Sequence, residues 1–347
     1  ETLAFAAVGG LTFGFLGMPA GWLSGAIVVV AAAALSGRPM RMPVPLMRVL
    51  LVALGISLGA VVTPETLNGM ATYPLSIAVL LVAMGCVSVA GSTYLRVVHG
   101  WDDLTAYLAA VPGGLSQVLA VGAEFNADLR GIAIVQTLRV VIVAVGLPLA
   151  LVLFGLTGHV SSSIGGPFVF ALLDELVILV VASTVMAYVA YKIHFPGGLL
   201  FGAMLTSAAL HGSGYIHVAM PWWIANTVMI CFGAVIGSRF GNTPLRMLMN
   251  FVGAAFGSFA VAATIAAIFG AGLIAMLKLP VAEVAIAFAP GSVDAMMLLA
   301  LALHLDPVYV GAHHLSRIFF VSLSAPLVAR RKARALNKPD QAVTPPL

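Results

Sequence analysis

Two arginines stand inside apolar stretches, Arg139 in VQTLRVVIV and Arg317 in HHLSRIFFV, and each follows a Pro-Gly pair and an aspartate at the same spacing. Pro112-Gly113, Asp128 and Arg139 recur 178 residues later as Pro290-Gly291, Asp306 and Arg317. A guanidinium inside hydrocarbon is costly and is retained for a reason. If each Pro-Gly pair breaks a helix, the second half-helix begins near Leu115 or Val293 and offers unpaired N–H groups and a positive dipole end. Together with an always-charged arginine, such a tip is suited to a carboxylate or another small oxyanion. Gly113, Gly114 and Gly291 let a ligand approach the backbone, and Ser116, Gln117, Gln136 and Ser292 add neutral hydrogen bonds.

Counting places these groups at one depth. Ser116 and Arg139 are twelve and eleven residues from Asp128, roughly 16–18 Å at the helical rise. That is about half of a hydrocarbon core ~30 Å thick, and the same count holds from Asp294 and Arg317 to Asp306. A second reading of the arginines stays open, in which each caps the orphan carbonyls ending the first half-helix, near Ala109 to Val111 and Phe288 to Ala289. The halves differ at one telling position, because Asp294 stands where the first half has Ser116. In this reading Asp294 neutralises Arg317 and leaves Arg139 as the freer anion ligand. Asp294 with His313 and His314, one turn before Arg317, then becomes a proton-coupling group, although both histidines also suit a packing role.

These positions sit in a chain of 347 residues that is 61% hydrophobic and 8% charged, with a mean hydropathy of +1.11. Soluble domains carry about a quarter charged residues, so this composition belongs in a bilayer. Apolar stretches fall at roughly 3–17, 19–36, 46–62, 74–97, 104–123 and 130–156, then 168–191, 196–212, 222–239, 249–277, 283–303 and 308–328. Gly55 and Gly59 also repeat at 178 as Gly233 and Gly237, so the chain is two copies of a six-segment unit. The repeats span 1–157 and 158–329, followed by a basic tail over 330–347.

The broken fifth segment of each unit either spans with a kink or enters and leaves by one face. In the re-entrant case Arg38, Arg41, Arg48, Arg96, Arg130, Lys192, Arg239, Arg246 and the tail gather on the inside, with only Lys278 opposite. The positive-inside rule prefers that arrangement. Each half then crosses five times, and the halves are inverted, as in secondary transporters with broken helices. The fold expected is an all-α polytopic membrane protein of two inverted repeats, both termini cytoplasmic, in a bacterial-type inner membrane. Asp128 and Asp306 read as helix N-caps, Asp102, Asp103, Glu124 and Glu283 as solvated hairpin bases, and Asp174-Glu175 as facing a vestibule.

Cys86 and Cys231 form neither a disulfide framework nor a metal motif, and no HExxH, Walker or GxSxG pattern occurs. No cofactor, metal or nucleic-acid partner is expected, nor an enzyme. Small-residue helices such as 253–267 fit packing within one protomer or between protomers of a homo-oligomer.

The segment AVPGGLSQVLAVGAEFNADLRGIAIVQTLRVVIV at 110–143 and its echo FAPGSVDAMMLLALALHLDPVYVGAHHLSRIFFVSL at 288–323 resemble the paired signatures of the AbrB-type integral membrane family. GMPAGWLSGA at 17–26 and FPGGLLFGA at 195–203 extend the resemblance over essentially the whole chain. It implies a layout similar to inverted-repeat cation/proton antiporters and anion transporters, and hence secondary transport. Members are labelled ammonia monooxygenases or regulators of gene expression, and no residue pattern here supports either label. Gln117 replaces the acidic residue expected after the first break, which weakens any cation-coupling role for that hairpin. The function expected is secondary transport of a small organic anion, coupled to protons or sodium. The rivals are an ammonia or small-solute channel and a membrane sensor affecting gene expression.

Overall fold

A computed structural model describes residues 1–62, 73–156, 173–218, 220–241 and 243–336. Among them are fourteen α-helices and no strand. The first half holds α1 (Thr2–Phe15), α2 (Gly21–Leu35), α3 (Val44–Gly59), α4 (Tyr73–His99), α5 (Asp103–Ala110), α6 (Leu115–Glu124) and α7 (Leu129–Leu153). The second holds α8 (Leu173–Lys192), α9 (Gly198–Gly212), α10 (Trp222–Gly237), α11 (Leu245–Leu277), α12 (Val281–Phe288), α13 (Val293–Ala302) and α14 (Pro307–Leu336). Helices α3, α5, α6 and α7 begin 178 residues before α10, α12, α13 and α14. The boundary between repeats at 157/158 lies outside the described residues. Helix α14 runs on through the basic residues from Arg330 to Leu336.

Five helices, at 73–99, 129–153, 173–192, 222–240 and 245–277, are long and apolar enough to cross a membrane. Helices α1, α2, α3 and α9, with 14 to 16 residues, reach only about 21–24 Å. They compensate by close packing through small residues. A Cβ on Gly233 would lie 2.8 Å from the Leu23 carbonyl, and one on Gly237 would lie 2.9 Å from that of Ile27.

The packing sorts the helices into two bodies. Helices α1, α2 and α3 join α8, α9 and α10, while α4 to α7 join α11 to α14. Contacts between the bodies are few and run mainly through α3 against α13 and through α7 against α2 and α10. Within each body equivalent helices exchange partners, α2 with α10 and α3 with α9 in one, α4 with α14 and α7 with α11 in the other.

Side-chain pairs fix the directions. His99 and Tyr94 of α4 lie against Gly253 of α11, whereas Leu80 and Ala83 share a small void with Ala262 and Ala266. Helices α4 and α11 occupy the same place in the two halves, and they run antiparallel.

The broken segments are hairpins. Val111 and Ala289, each before a proline, are extended, with ψ of 124° and 135°, because the proline ring excludes the helical conformation from the preceding residue. The chain then turns back. The Asp128 N–H donates to Thr105 Oγ1 at 3.0 Å, which brings the start of α5 and the start of α7 together. A spanning segment would hold them about 30 Å apart. Glu283 likewise lies against Asp306, which brings the start of α12 to the start of α14, so the second segment is a hairpin too.

The two hairpins are rooted at opposite ends of α14. Lys332, near its C-terminal end, donates to the Asp103 carbonyl at 2.8 Å and, with Arg96, pairs with the Asp103 carboxylate. Asp306, at its other end, accepts from the Tyr73 hydroxyl at 2.9 Å. Asp128 and Asp306 are N-caps, receiving the N–H groups of Arg130 and of Val308 and Tyr309. Glu283 departs from the solvated placement expected of it. It is half-buried against Asp306, because the α12 base packs onto the start of α14.

These roots set a labelling experiment on vesicles of the Cys86→Ala/Cys231→Ala protein. A membrane-impermeant thiol reagent is expected to reach Glu124→Cys and Val281→Cys, both exposed positions, from opposite faces. Labelling of both from one face would contradict the opposed hairpins.

Candidate functional site

A helix that stops inside a low-dielectric region leaves carbonyls without partners, and each costs about 1–3 kcal/mol if left so. The arginines meet this demand. Arg139, 4% exposed, donates from Nη1 to the Ala110 carbonyl at 3.0 Å and from Nη2 to that of Val111 at 3.3 Å. Arg317, 2% exposed, donates to the carbonyls of Ala289 at 2.6 Å and Gly291 at 3.3 Å.

One turn earlier a second side chain completes each clamp. Gln136 Nε2 donates to the Leu108 carbonyl at 2.8 Å, and His314 Nε2 donates to that of Ile286, the equivalent residue, at 3.2 Å. His314 Nδ1 also receives Arg317 Nη1 at 3.2 Å. A guanidinium cannot accept, so this contact fixes His314 as the neutral Nε2–H tautomer.

The two clamps differ in what remains free. Arg139 Nε has no partner, and Arg139 lines a cavity of about 720 Å³ between the two helix bodies. One wall carries Gly113, Gly114, Ser116, Gln117 and Gln136 from the first half, with Gly291, Ser292 and Asp294 from the second. The opposite wall comes from the other body, at 42–51, 191–200 and 235–239. Both half-helix N-termini therefore open on one space, α6 beginning at Leu115 and α13 at Val293. Gln117 Oε1 lies beside Gly114 with no hydrogen-bond partner.

Nine of the residues picked from sequence meet here, and three do not. Arg317 is turned away and touches only a void of about 10 Å³ behind Pro112 and Pro290. His314 is spent on the clamp. His313, fully buried, bridges the Tyr309 carbonyl at 2.7 Å and Ser76 Oγ at 2.7 Å, with its ring centroid 4.1 Å from that of Tyr309. It knits α14 to α4 and does not reach the cavity. The expected neutralisation of Arg317 by Asp294 is also corrected, since the opposite charge facing Asp294 is Arg239.

Arg239 was missed as a site residue. It sits in the 3-10 turn Ser238–Phe240 that follows α10, and in the sequence it reads as one more basic marker of the inner face. Its equivalent in the first half is Val61, so the repeat carries no signal for it. Tyr191, His194 and Ser238 join it along the same mouth. Of the expected vestibule pair, Glu175 instead accepts the N–H of His217 at 2.7 Å and of Val218 at 3.3 Å, tying α8 to the segment before α10.

Fold and site together define an all-helical polytopic membrane protein whose two broken helices face a shared cavity. The chain belongs to the family described as "Transition state regulatory protein AbrB", whose model matches residues 2–332. It is similar to "Uncharacterized protein YhjN" of Bacillus subtilis (strain 168), 26% identical over 349 residues that cover 92% of this chain and 89% of that protein. It is also 24% identical over 329 residues to "Putative regulator AbrB" of Escherichia coli (strain K12), with 92% of each chain covered.

The equivalence of Gln136 and His314 makes a stability prediction. His314→Gln keeps a donor for the Ile286 carbonyl and is expected to melt within a few degrees of the wild type, whereas His314→Ala orphans that carbonyl. Arg317→Ala orphans the Gly291 carbonyl and leaves that of Ala289 with the Gly291 N–H alone, and is expected to lose about 1–3 kcal/mol, measured by thermal unfolding in detergent. Equal melting of His314→Ala and His314→Gln would contradict the clamp.

Proposed function

We propose that the protein is a secondary transporter of a small organic anion, with the ligand bound between the two hairpin tips. The observation that carries this reading is the convergence of both half-helix N-termini on one cavity lined by Arg139, whose buried Nε has no hydrogen-bond partner. Backbone N–H groups at a helix start and a guanidinium donor hold carboxylates by charge-assisted hydrogen bonds. Irregular backbone at membrane depth is tolerated where it lines a water-filled cavity, and the cavity lined by both tips supports that reading.

The organisation into two bodies supplies the movement. In this reading the halves are inverted repeats in the inner membrane, supported by the antiparallel run of α4 and α11. The cavity lining includes Met42, Met47 and Tyr191, neighbours in sequence of Arg41, Arg48 and Lys192, which the positive-inside rule places in the cytoplasm. The state described is then inward-open. Sliding or rocking of the hairpin body against the other, across their sparse interface, would carry the tips to the opposite face. Asp294 and Arg239, facing each other across the cavity, are the groups placed to couple a proton or sodium ion to that movement.

The name of the Escherichia coli relative favours a second reading, in which occupancy of the same cavity is signalled to a partner through the basic end of α14. Deletion after Arg330 would then abolish the signal and leave ligand binding intact.

Transport is tested by counterflow in proteoliposomes with a panel of labelled carboxylates. The expected result is saturable uptake stimulated by unlabelled carboxylate on the far side. Gly114→Leu, whose Cβ meets nothing nearer than Gln117 Oε1 at 3.4 Å, is expected to fold, fill the space before α6 and reduce uptake at least tenfold. Flux without far-side stimulation, indifferent to Gly114→Leu, would favour a channel and overturn the reading.

A further inference from the structure

The two half-helix N-termini that meet in the cavity are equivalent by the repeat and unequal in chemistry. Helix α13 carries its own carboxylate, Asp294, in the first turn, and the Ser292 hydroxyl accepts from the Ala295 N–H at 3.4 Å. A carboxylate in that position satisfies the dipole of the helix start. Across the cavity Arg239 supplies the countercharge. Helix α6 has none of this. Its N-cap is Gly114, with no side-chain cap and no acidic residue in the first turn, and Ser116 stands in the Asp294 position. Around it lie the free Nε of the 96%-buried Arg139 and the unpartnered Gln117 Oε1.

We propose that Asp294 is a built-in mimic of the ligand's carboxylate. It occupies at the second hairpin the role that the ligand takes at the first, so the protein binds one carboxylate, at α6, and prefers one bearing a hydroxyl. The inference rests on the anion-transport reading and deepens it. The carboxylate is held by the N–H groups at the start of α6 and by Arg139 Nε, the donors in that wall without an internal acceptor. The hydroxyl follows from Gln117, whose free oxygen is an acceptor and is satisfied only by a ligand that donates. That oxygen is already buried and unpaired without ligand, so a ligand that donates gains a hydrogen bond that one lacking the donor does not make, and a site that hydrogen-bonds a substrate hydroxyl discriminates against the analogue without it. The second hairpin offers no comparable place, because Asp294 repels an external carboxylate and Arg317 is committed to the carbonyls of Ala289 and Gly291.

The repeat itself supplies the test, since Ser116→Asp copies the second hairpin onto the first. Purified full-length protein is melted with L-lactate, with propionate and without ligand. Wild type is expected to gain roughly 3 °C with saturating lactate and less than half of that with propionate. Ser116→Asp, capped from within, is expected to lose the lactate shift, while its neutral isostere Ser116→Asn keeps at least half of it. Gln117→Leu is expected to respond equally to lactate and propionate. The ligand-free melting point of each variant reports folding, and Ser116→Asn with Gln117→Leu carries the test if Ser116→Asp does not fold. A lactate shift in Ser116→Asp equal to wild type would overturn the built-in mimic and leave the transport reading standing. Saturable carboxylate uptake by wild type with no lactate preference in the melts would overturn the hydroxyl assignment. Absence of both uptake and any carboxylate shift in wild type would instead remove the transport reading on which the inference rests.

Discussion

Everything at the centre of this molecule depends on how carbonyl groups are satisfied where a helix stops far from bulk water. Two half-helices end at Val111 and Ala289, and no following helical turn supplies donors to their last carbonyls, Ala289 receiving only the Gly291 N–H from the backbone. An arginine delivered by the following long helix answers the demand in each half, assisted by Gln136 or His314 one turn before. The guanidinium has five N–H donors and no acceptor, so it can hold two carbonyls and still have three to spare. In the transport reading the unpartnered Nε turns a structural clamp into a binding group at Arg139. At Arg317 one of those spare donors, on Nη1, is spent on His314. Structural and functional readings of an intramembrane arginine are therefore two uses of one side chain.

The clamps also explain the division into two bodies. Body one is welded by backbone-to-backbone approach at Gly55, Gly59, Gly233 and Gly237, where a side chain would collide with the neighbouring helix. The hairpin body is held by the arginine clamps and by the roots at Asp103 and Asp306. Between them the contacts are thin, and the cavity occupies part of the seam. Strong cohesion within each unit and weak cohesion between them is the condition for one unit to move as a rigid piece.

Much of this was legible in the sequence. The 178-residue offset carried the six-segment unit, the Pro-Gly breaks, the caps at Asp128 and Asp306 and the depth of the arginines, because each rests on local chain chemistry or helix rise. The choice between a kinked crossing and a hairpin rested on charge counting and is settled by the contact of Asp128 with Thr105. What stayed hidden depends on azimuth. Spacing places Arg139 and Arg317 at equal depth, yet only the packing of α7 against α10 and of α14 against α4 decides which of them faces the cavity. The partner of Asp294 was hidden for a related reason. Arg239 comes from the other body, at a position whose first-half equivalent is the apolar Val61, and no periodicity within a chain reports contacts across such a seam.

The central claim is that the first hairpin tip lies in a cavity open to the basic face and that a carboxylate binds against it. The most direct measurement is the rate at which an impermeant maleimide modifies Ser116→Cys, an exposed position of that wall, in oriented vesicles of the Cys86→Ala/Cys231→Ala protein. The account predicts modification from the face that carries Arg38 and Arg48, slowed several-fold by millimolar carboxylate and restored when the carboxylate is washed out. Modification from the opposite face only, or at a rate that no carboxylate changes, would contradict it.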